Sequence, residues 1–153
     1  MITMANFDSA SFDGYDINLV QKEVDGGIIT VEQIDTIREF PDAKSIIISG
    51  LKQDTFEYFV NTYGRQFLAI TFWKNKAVSD LSALSSLEEV EYISYFFNQK
   101  VTKLWDMTPN KKLVGLSISD FSKLHSLEGI ETACNLESFY VYNRVEARME
   151  IEE

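Results

Sequence analysis

Residues that commonly carry enzymatic or metal chemistry are scarce in this chain. Its 153 residues include one histidine, His125, and one cysteine, Cys134. One histidine and one cysteine cannot form a His/Cys metal site, because such sites use about four ligands. A Cys–His dyad would also need a third group to orient the base, and none is visible beside either residue. We therefore expect a protein that is not an enzyme and that has no cofactor and no metal.

The remaining candidate motifs favour structural roles. Gly26-Gly27 is an isolated pair rather than a phosphate-binding loop, and we interpret it as a turn. We expect His125 to face solvent and Cys134 to behave as a small buried hydrophobic residue. Trp105 follows an apolar position and is interpreted as structural. The carboxylates are scattered, which is typical of a solvated surface.

A short apolar pattern recurs along the chain with a period of about 23 residues. Leu113, Leu116 and Ile118 define its spacing, and equivalent units begin at Ala43, Phe67, Val90 and Leu136. Alternating apolar positions are typical of a strand, and the later apolar residues recur every third position, as in a 3₁₀ turn. One such unit cannot bury its apolar edge alone, so stacked units are expected to form a parallel sheet.

The segments that follow two of these strands resemble a known family. The stretches 78–87 (VSDLSALSSL) and 124–131 (LHSLEGIE), the second continuing through 135–139 (NLESF), are similar to leucine-rich repeats of the bacterial, internalin-like class. The resemblance covers roughly residues 43–145. It implies an α/β solenoid of about five 23-residue repeats plus caps, with a curved parallel β-sheet on the concave side and short α or 3₁₀ segments on the convex side.

The family also implies an asparagine after each strand, whose side chain satisfies backbone groups of the loop. Asn75 and Asn98 occupy that position, whereas Leu51 and Phe121 depart from the pattern and Asn143 lies one residue early. The repeats are also a residue or two longer than the internalin spacing.

We predict a single domain over residues 1–153, with an N-terminal cap (1–42), repeats (43–145) and a C-terminal strand or tail (146–153). The cap is expected to contain a strand near residues 15–19 and a helix with Thr30 as its N-cap, ended by Pro41. The expected apolar positions of this helix are Val31, Ile34, Ile37 and Phe40. A second helix is expected to start at Asp54 and to stop at Gly64. Residues 145–152 alternate strictly, and we consider a final strand that caps the sheet, an edge for dimer or partner pairing, and a frayed tail.

Residues between the core positions should point to the concave face, where large aromatic residues accumulate. Such residues are typical anchors for protein recognition, because they offer much area at low entropic cost. The alternative is that they pack against one another or against a terminal segment lying across the sheet. The predicted partner-binding residues are Ile47, Thr71, Trp73, Tyr92, Phe96, Tyr140 and Tyr142, with Lys74, Lys76, Phe97, Asp120 and Asn143 at the rim.

The net charge of −10 argues against nucleic-acid and membrane binding, because phosphate contacts need clustered Lys and Arg. Residues 1–43 carry −7, residues 44–145 are neutral and residues 146–153 carry −3. Because acidic ends discourage open-ended stacking, we expect a monomer rather than an oligomer. The sequence has no basic, apolar leader pattern, and with one cysteine it indicates a reducing, cytoplasmic setting.

These observations favour a module that binds a protein or peptide on its concave sheet. One alternative is an immunity-type inhibitor of a basic toxin or nuclease, which an acidic protein would suit electrostatically. A further alternative is a structural or self-associating repeat protein.

Overall fold

The computed structural model describes residues 14–142, and its regular elements follow one another in a simple alternation. Two α-helices, α1 (Val31–Asp35) and α2 (Gln53–Tyr63), precede the third strand and continue into 3₁₀ turns at Thr36–Glu39 and Gly64–Gln66. Later connections contain 3₁₀ turns at Ser82–Ser86 and Ile130–Thr132. The six strands are β1 (Ile17–Leu19), β2 (Ser45–Ile48), β3 (Ala69–Trp73), β4 (Tyr92–Asn98), β5 (Gly115–Phe121) and β6 (Ser138–Tyr142).

All six strands pair in parallel, in the order in which they occur along the chain. The protein therefore has an α/β fold built on one parallel sheet with few helices, which confirms the coarse fold prediction. The register also joins residues at equivalent positions of the 23-residue pattern. One row runs through Ile17, Ile46, Ile70, Ile93, Leu116 and Phe139.

The hydrophobic core lies on one face of this sheet, between the strands and the segments that connect them. Each inward row is apolar, and the side chains of Ile46, Ile93 and Leu116 are fully buried. The connecting segments contribute the residues that recur every third position, and Val78, Leu84 and Leu87 are equally buried. The predicted 3₁₀ conformation is confirmed in two of these segments. Burial of both sets in one core explains the two periods in the sequence.

The beginning of α1 follows the prediction, whereas its apolar face is narrower than expected. The Thr30 hydroxyl accepts a hydrogen bond from the Gln33 backbone N–H, and the Gln33 side chain accepts one from the Thr30 N–H. Ile34 and Ile37 are fully buried. Val31 is 38% exposed and Phe40 is 52% exposed. Two of the four predicted apolar positions therefore face the core.

The predicted start of α2 is wrong, whereas its predicted end at Gly64 is right in position but not in backbone geometry. Its N-cap is Lys52 rather than Asp54, and the Thr55 hydroxyl accepts a hydrogen bond from the Lys52 N–H at 2.8 Å. Gly64 has a right-handed φ of −58°, so it does not end the helix by a left-handed turn. Its lack of a side chain is explained by packing, because a Cβ there would lie 2.8 Å from Cδ2 of Leu87.

Two predictions concern residues that lie outside the described range. The possible strand at 146–153 and the rim residue Asn143 both fall beyond Tyr142. The predicted strand near residues 15–19 is confirmed as β1. No helix within residues 14–142 is long and apolar enough to cross a membrane.

Candidate binding surface

The face of the sheet opposite the core, which we call the front face, carries the side chains that the sequence assigned to partner binding. The register aligns them in three rows. The rows are Ser45, Ala69, Tyr92, Gly115 and Ser138; Ile47, Thr71, Ser94, Ser117 and Tyr140; and Trp73, Phe96, Ser119 and Tyr142. The predicted residues are therefore neighbours on one surface.

The seven residues predicted to bind a partner differ in solvent exposure. Ile47, Thr71 and Phe96 are buried, with Phe96 only 4% exposed. Trp73 and Tyr92 are partly buried. Tyr140 is 49% exposed and Tyr142 is 42% exposed. Four of the seven residues are therefore at least partly exposed, and the other three are buried.

Strand β5 contributes only small side chains to the front face, and Ser117 and Ser119 are 3% and 4% exposed. Gly115, Ser117 and Ser119 occupy its front positions. The strands on either side carry aromatic residues: Tyr92 and Phe96 lie on β4, and Tyr140 and Tyr142 lie on β6. The rings of Tyr140 and Tyr142 are nearly parallel, with centroids 6.1 Å apart. On the other side, the Trp73 ring contacts Phe96 at 6.1 Å.

One residue of the front face was missed by sequence reasoning. The hydroxyl of Tyr15 lies 2.9 Å from Oγ1 of Thr71. Burial raises the pKa of Tyr15, and its hydrogen bond with Thr71 partly opposes that shift. Alternation with the inward Ile17 would place Tyr15 on the core side. However, the Asp16 carboxylate accepts from the backbone N–H of Lys44, and regular pairing begins only at Ile17. The strand pattern therefore could not predict where the ring lies.

The rim of the front face consists of residues at the carboxyl ends of the strands. Lys74, Phe97 and Asp120 all have left-handed φ angles, between 55° and 67°, and Gly50 occupies the equivalent position after β2. The Lys74 ammonium lies 5.5 Å from the Trp73 ring centroid and 5.7 Å from that of Phe97. It also donates to the backbone carbonyl of Val24. The same left-handed conformation therefore recurs at the carboxyl ends of strands β2, β3, β4 and β5.

Lys76 and Asp120, the other described rim residues, are partly buried. The Ser119 hydroxyl donates to a carboxylate oxygen of Asp120 at 3.4 Å. Lys76 contributes its carbonyl to the N–H of Gln99 at 3.2 Å. Asp120 is therefore bonded to a residue of the front face, and Lys76 is bonded to the loop of the next unit.

Two asparagines stabilise the loops behind this rim. Asn75 accepts from the N–H of Leu51 at 2.7 Å and donates to the carbonyl of Ile48 at 3.0 Å. Asn98 accepts from the N–H of Val101 at 2.7 Å and donates to the carbonyl of Val78 at 2.8 Å. Each side chain thus satisfies backbone groups as expected. At the next equivalent position Phe121 is buried, and its ring packs edge-on against Tyr95 at 5.1 Å.

The two side chains considered for chemistry are both exposed. His125 is exposed, as expected. The prediction that Cys134 is buried is wrong, because it is exposed like Glu88 and Lys111, which occupy the equivalent position in earlier units. Within residues 14–142, no three His, Cys, Asp or Glu side chains lie close enough together to hold a metal ion.

Trp105 has a structural role, as predicted. It is buried, and its indole N–H donates to Oδ1 of Asn110 at 2.9 Å. The Gly26-Gly27 pair forms the predicted turn, with both residues at positive φ and the Gly26 N–H bonded to the Glu23 carbonyl.

A polar cluster on the helical side joins α1 to α2. The hydroxyls of Tyr58 and Tyr63 each donate to Oδ1 of Asp35 at 2.6 Å. These two hydrogen bonds lower the pKa of Asp35 below its usual value. Burial, together with the bonds to Asp35 and Tyr58, raises the pKa of Tyr63 to about 12. Arg38 lies 3.7 Å from the same carboxylate oxygen. Both tyrosine hydroxyls donate to the same carboxylate, so the cluster links the two helices.

Comparison with known proteins assigns neither a family nor a function to this chain. No protein-family model, no curated protein and no solved structure matches the chain.

Proposed function

We propose that this protein is a leucine-rich-repeat solenoid that acts without catalysis, binding a protein or peptide partner on the front face of its sheet. In this proposal the front face is the concave side of the solenoid. The observation that carries the proposal is the set of exposed or partly exposed aromatic rings on the strands that flank the small side chains of β5.

Support for the repeat class comes from the register and the asparagines. Equivalent residues of successive units are direct neighbours in the sheet. Asn75 and Asn98 bond to loop backbone in the way that the family resemblance implies. The left-handed residue that precedes each of them recurs at the same place. These features agree with one another although they depend on different residue types.

The spacing of the strands that carry these rings suits one extended segment. Neighbouring strands lie about 4.8 Å apart, so β4 and β6 are separated by about 10 Å across β5. One extended chain lying along β5 would therefore run between the two sets of rings. Aromatic side chains have few rotatable bonds, so ordering Tyr92, Tyr140 or Trp73 against a partner costs little entropy.

The proposal is tested by affinity capture from the source cell with the full chain as bait. Trp73→Ala and Tyr140→Ala remove one ring from each side of β5. We expect each to lower recovery of the captured partner at least about tenfold, as is usual for truncated aromatic anchors. Quantitative mass spectrometry identifies and compares the recovered proteins.

The matched control is Phe40→Ala, since Phe40 is a comparably exposed aromatic residue outside the three front-face rows. Circular dichroism confirms that every variant is folded. If the front-face variants recover the partner as well as the Phe40 variant does, the front face is not the binding site.

A further inference from the structure

Within the part of the chain that the structure describes, one edge of the last strand, β6, is not paired with another strand. The N–H of Ser138 donates to the carbonyl of Val114, so the backbone of Ser138 faces β5. Backbone groups alternate in direction along a parallel strand, and those of Tyr140 therefore face β5 as well. The N–H and C=O groups of Phe139 and Val141 consequently point away from the sheet. No other strand within residues 14–142 pairs with this edge.

The core also ends without a complete cover at this strand. Four apolar residues of the last unit are only partly buried, whereas their counterparts 23 residues earlier are buried. The partly buried residues are Leu127, Ile130, Leu136 and Phe139, and their counterparts are Leu104, Met107, Leu113 and Leu116. An added strand would therefore bury apolar surface as well as pair the backbone.

The charge of this terminal unit restricts what can bind there. Glu128, Glu131 and Glu137 are exposed, and no lysine or arginine occurs between Leu124 and Tyr142. The carboxylates of Glu128 and Glu137 form no salt bridge with any described residue. One oxygen of Glu131 accepts from the N–H of Gly129. A second copy of the chain, paired about a twofold axis, would bring like charges together, which is unfavourable.

From these three observations we propose that the outer edge of β6 accepts an extended, basic segment of the partner protein as an additional strand. The inference rests on the proposed binding function and names the chemistry of the partner. Backbone hydrogen bonds form with Phe139 and Val141. Apolar side chains of the segment cover the end of the core and the exposed rings of Tyr140 and Tyr142. Its lysine or arginine side chains pair with the three glutamates.

The test uses the full chain and a synthetic probe, a ten-residue peptide of alternating valine and lysine, measured by fluorescence anisotropy. We expect this peptide to bind and its affinity to fall as salt rises. A peptide of alternating valine and glutamate should bind at least about tenfold more weakly because of like-charge repulsion. The lysine peptide N-methylated at every second residue should also lose affinity, since it cannot donate hydrogen bonds along one edge.

Two protein variants locate the site. The double variant Glu128→Gln, Glu137→Gln should weaken binding of the lysine peptide about tenfold, from the loss of two charge pairs. Glu88→Gln is the matched control, because Glu88 is exposed, unpaired and in an earlier unit, and it should leave the affinity unchanged. Equal affinities in the double variant and the control would overturn the proposed site.

Other occupants of the edge give distinct results that contradict the proposal. If proline substitutions at Ala147 and Met149 increase peptide affinity tenfold, the chain's own C-terminal residues occupy the edge. If light scattering shows a dimer that the peptide dissociates, the occupant is a second copy. Absence of peptide binding would overturn this inference alone, whereas the Trp73→Ala capture experiment decides the binding function.

Discussion

Asn98 offers the sharpest test of how the loops are held to the sheet, and we predict that Asn98→Ala is strongly destabilising. The side chain is 1% exposed and bonds to the backbone of two buried residues, Val101 and Val78. Alanine removes the partner of the N–H of Val101 and of the carbonyl of Val78, which are backbone groups of two buried residues. Each such group costs about 1–3 kcal/mol, so the expected loss in the free energy of unfolding is about 2–6 kcal/mol.

This loss is large compared with the total stability of a typical domain, about 5–15 kcal/mol. Urea unfolding followed by circular dichroism measures it. With a urea dependence of about 2 kcal/mol per molar, the midpoint should fall by about 1–3 M. The control is Asn61→Ala, because Asn61 is exposed in α2, where alanine should stabilise by about 0.5 kcal/mol.

A second variant tests whether the equivalent asparagine in another unit contributes as much to stability. Asn75→Ala removes the equivalent bonds to Leu51 and Ile48 and should cost a similar amount. A loss below about 1 kcal/mol in Asn98→Ala would refute the reasoning, since it would mean that the loop backbone finds other partners at little cost.

Two further predictions concern the helical side and the rim. Because the Tyr58 and Tyr63 hydroxyls lower the pKa of Asp35 in the folded state, its stabilising effect is present above the unfolded pKa and is lost as pH falls through the folded pKa. The difference in unfolding free energy between the wild type and Asp35→Asn should therefore shrink below about pH 4, and a pH-independent difference would contradict this account. Gly50→Ala should destabilise by about 2–4 kcal/mol, because φ is +79° and a Cβ would lie 2.9 Å from the Ile29 nitrogen. Gly14→Ala, with positive φ but open space, should cost only about 1 kcal/mol in thermal melts, and equal losses would contradict the steric argument.

The parallel sheet was predictable because its residues repeat. A single apolar spacing defines both the strands and their register, so Ile70, Ile93 and Leu116 could be aligned before their contacts were known. Periodicity does not determine helix ends. The N-cap of α2 is Lys52 rather than the predicted Asp54, because the Lys52 N–H donates to the Thr55 hydroxyl in the first turn.

The front face was predictable in position but not in exposure. Alternation places Phe96 and Thr71 on this face, but it cannot reveal that neighbouring side chains exclude water from them. The contact of Tyr15 with Thr71 joins residues 56 positions apart and depends on a bend before β1. Cys134 was predicted from residue type alone, whereas its position in the unit, shared with Glu88 and Lys111, would have indicated exposure.

The sequential order of the strands has a consequence for how this sheet can change in length. Each described strand pairs only with the strands that precede and follow it along the chain. Inserting or deleting a 23-residue unit between β4 and β5 would therefore leave every other strand with neighbours of the same kind, and no connection would have to cross another. The width of the aromatic surface could thus evolve by duplication of one segment, independently of the residues that close the ends.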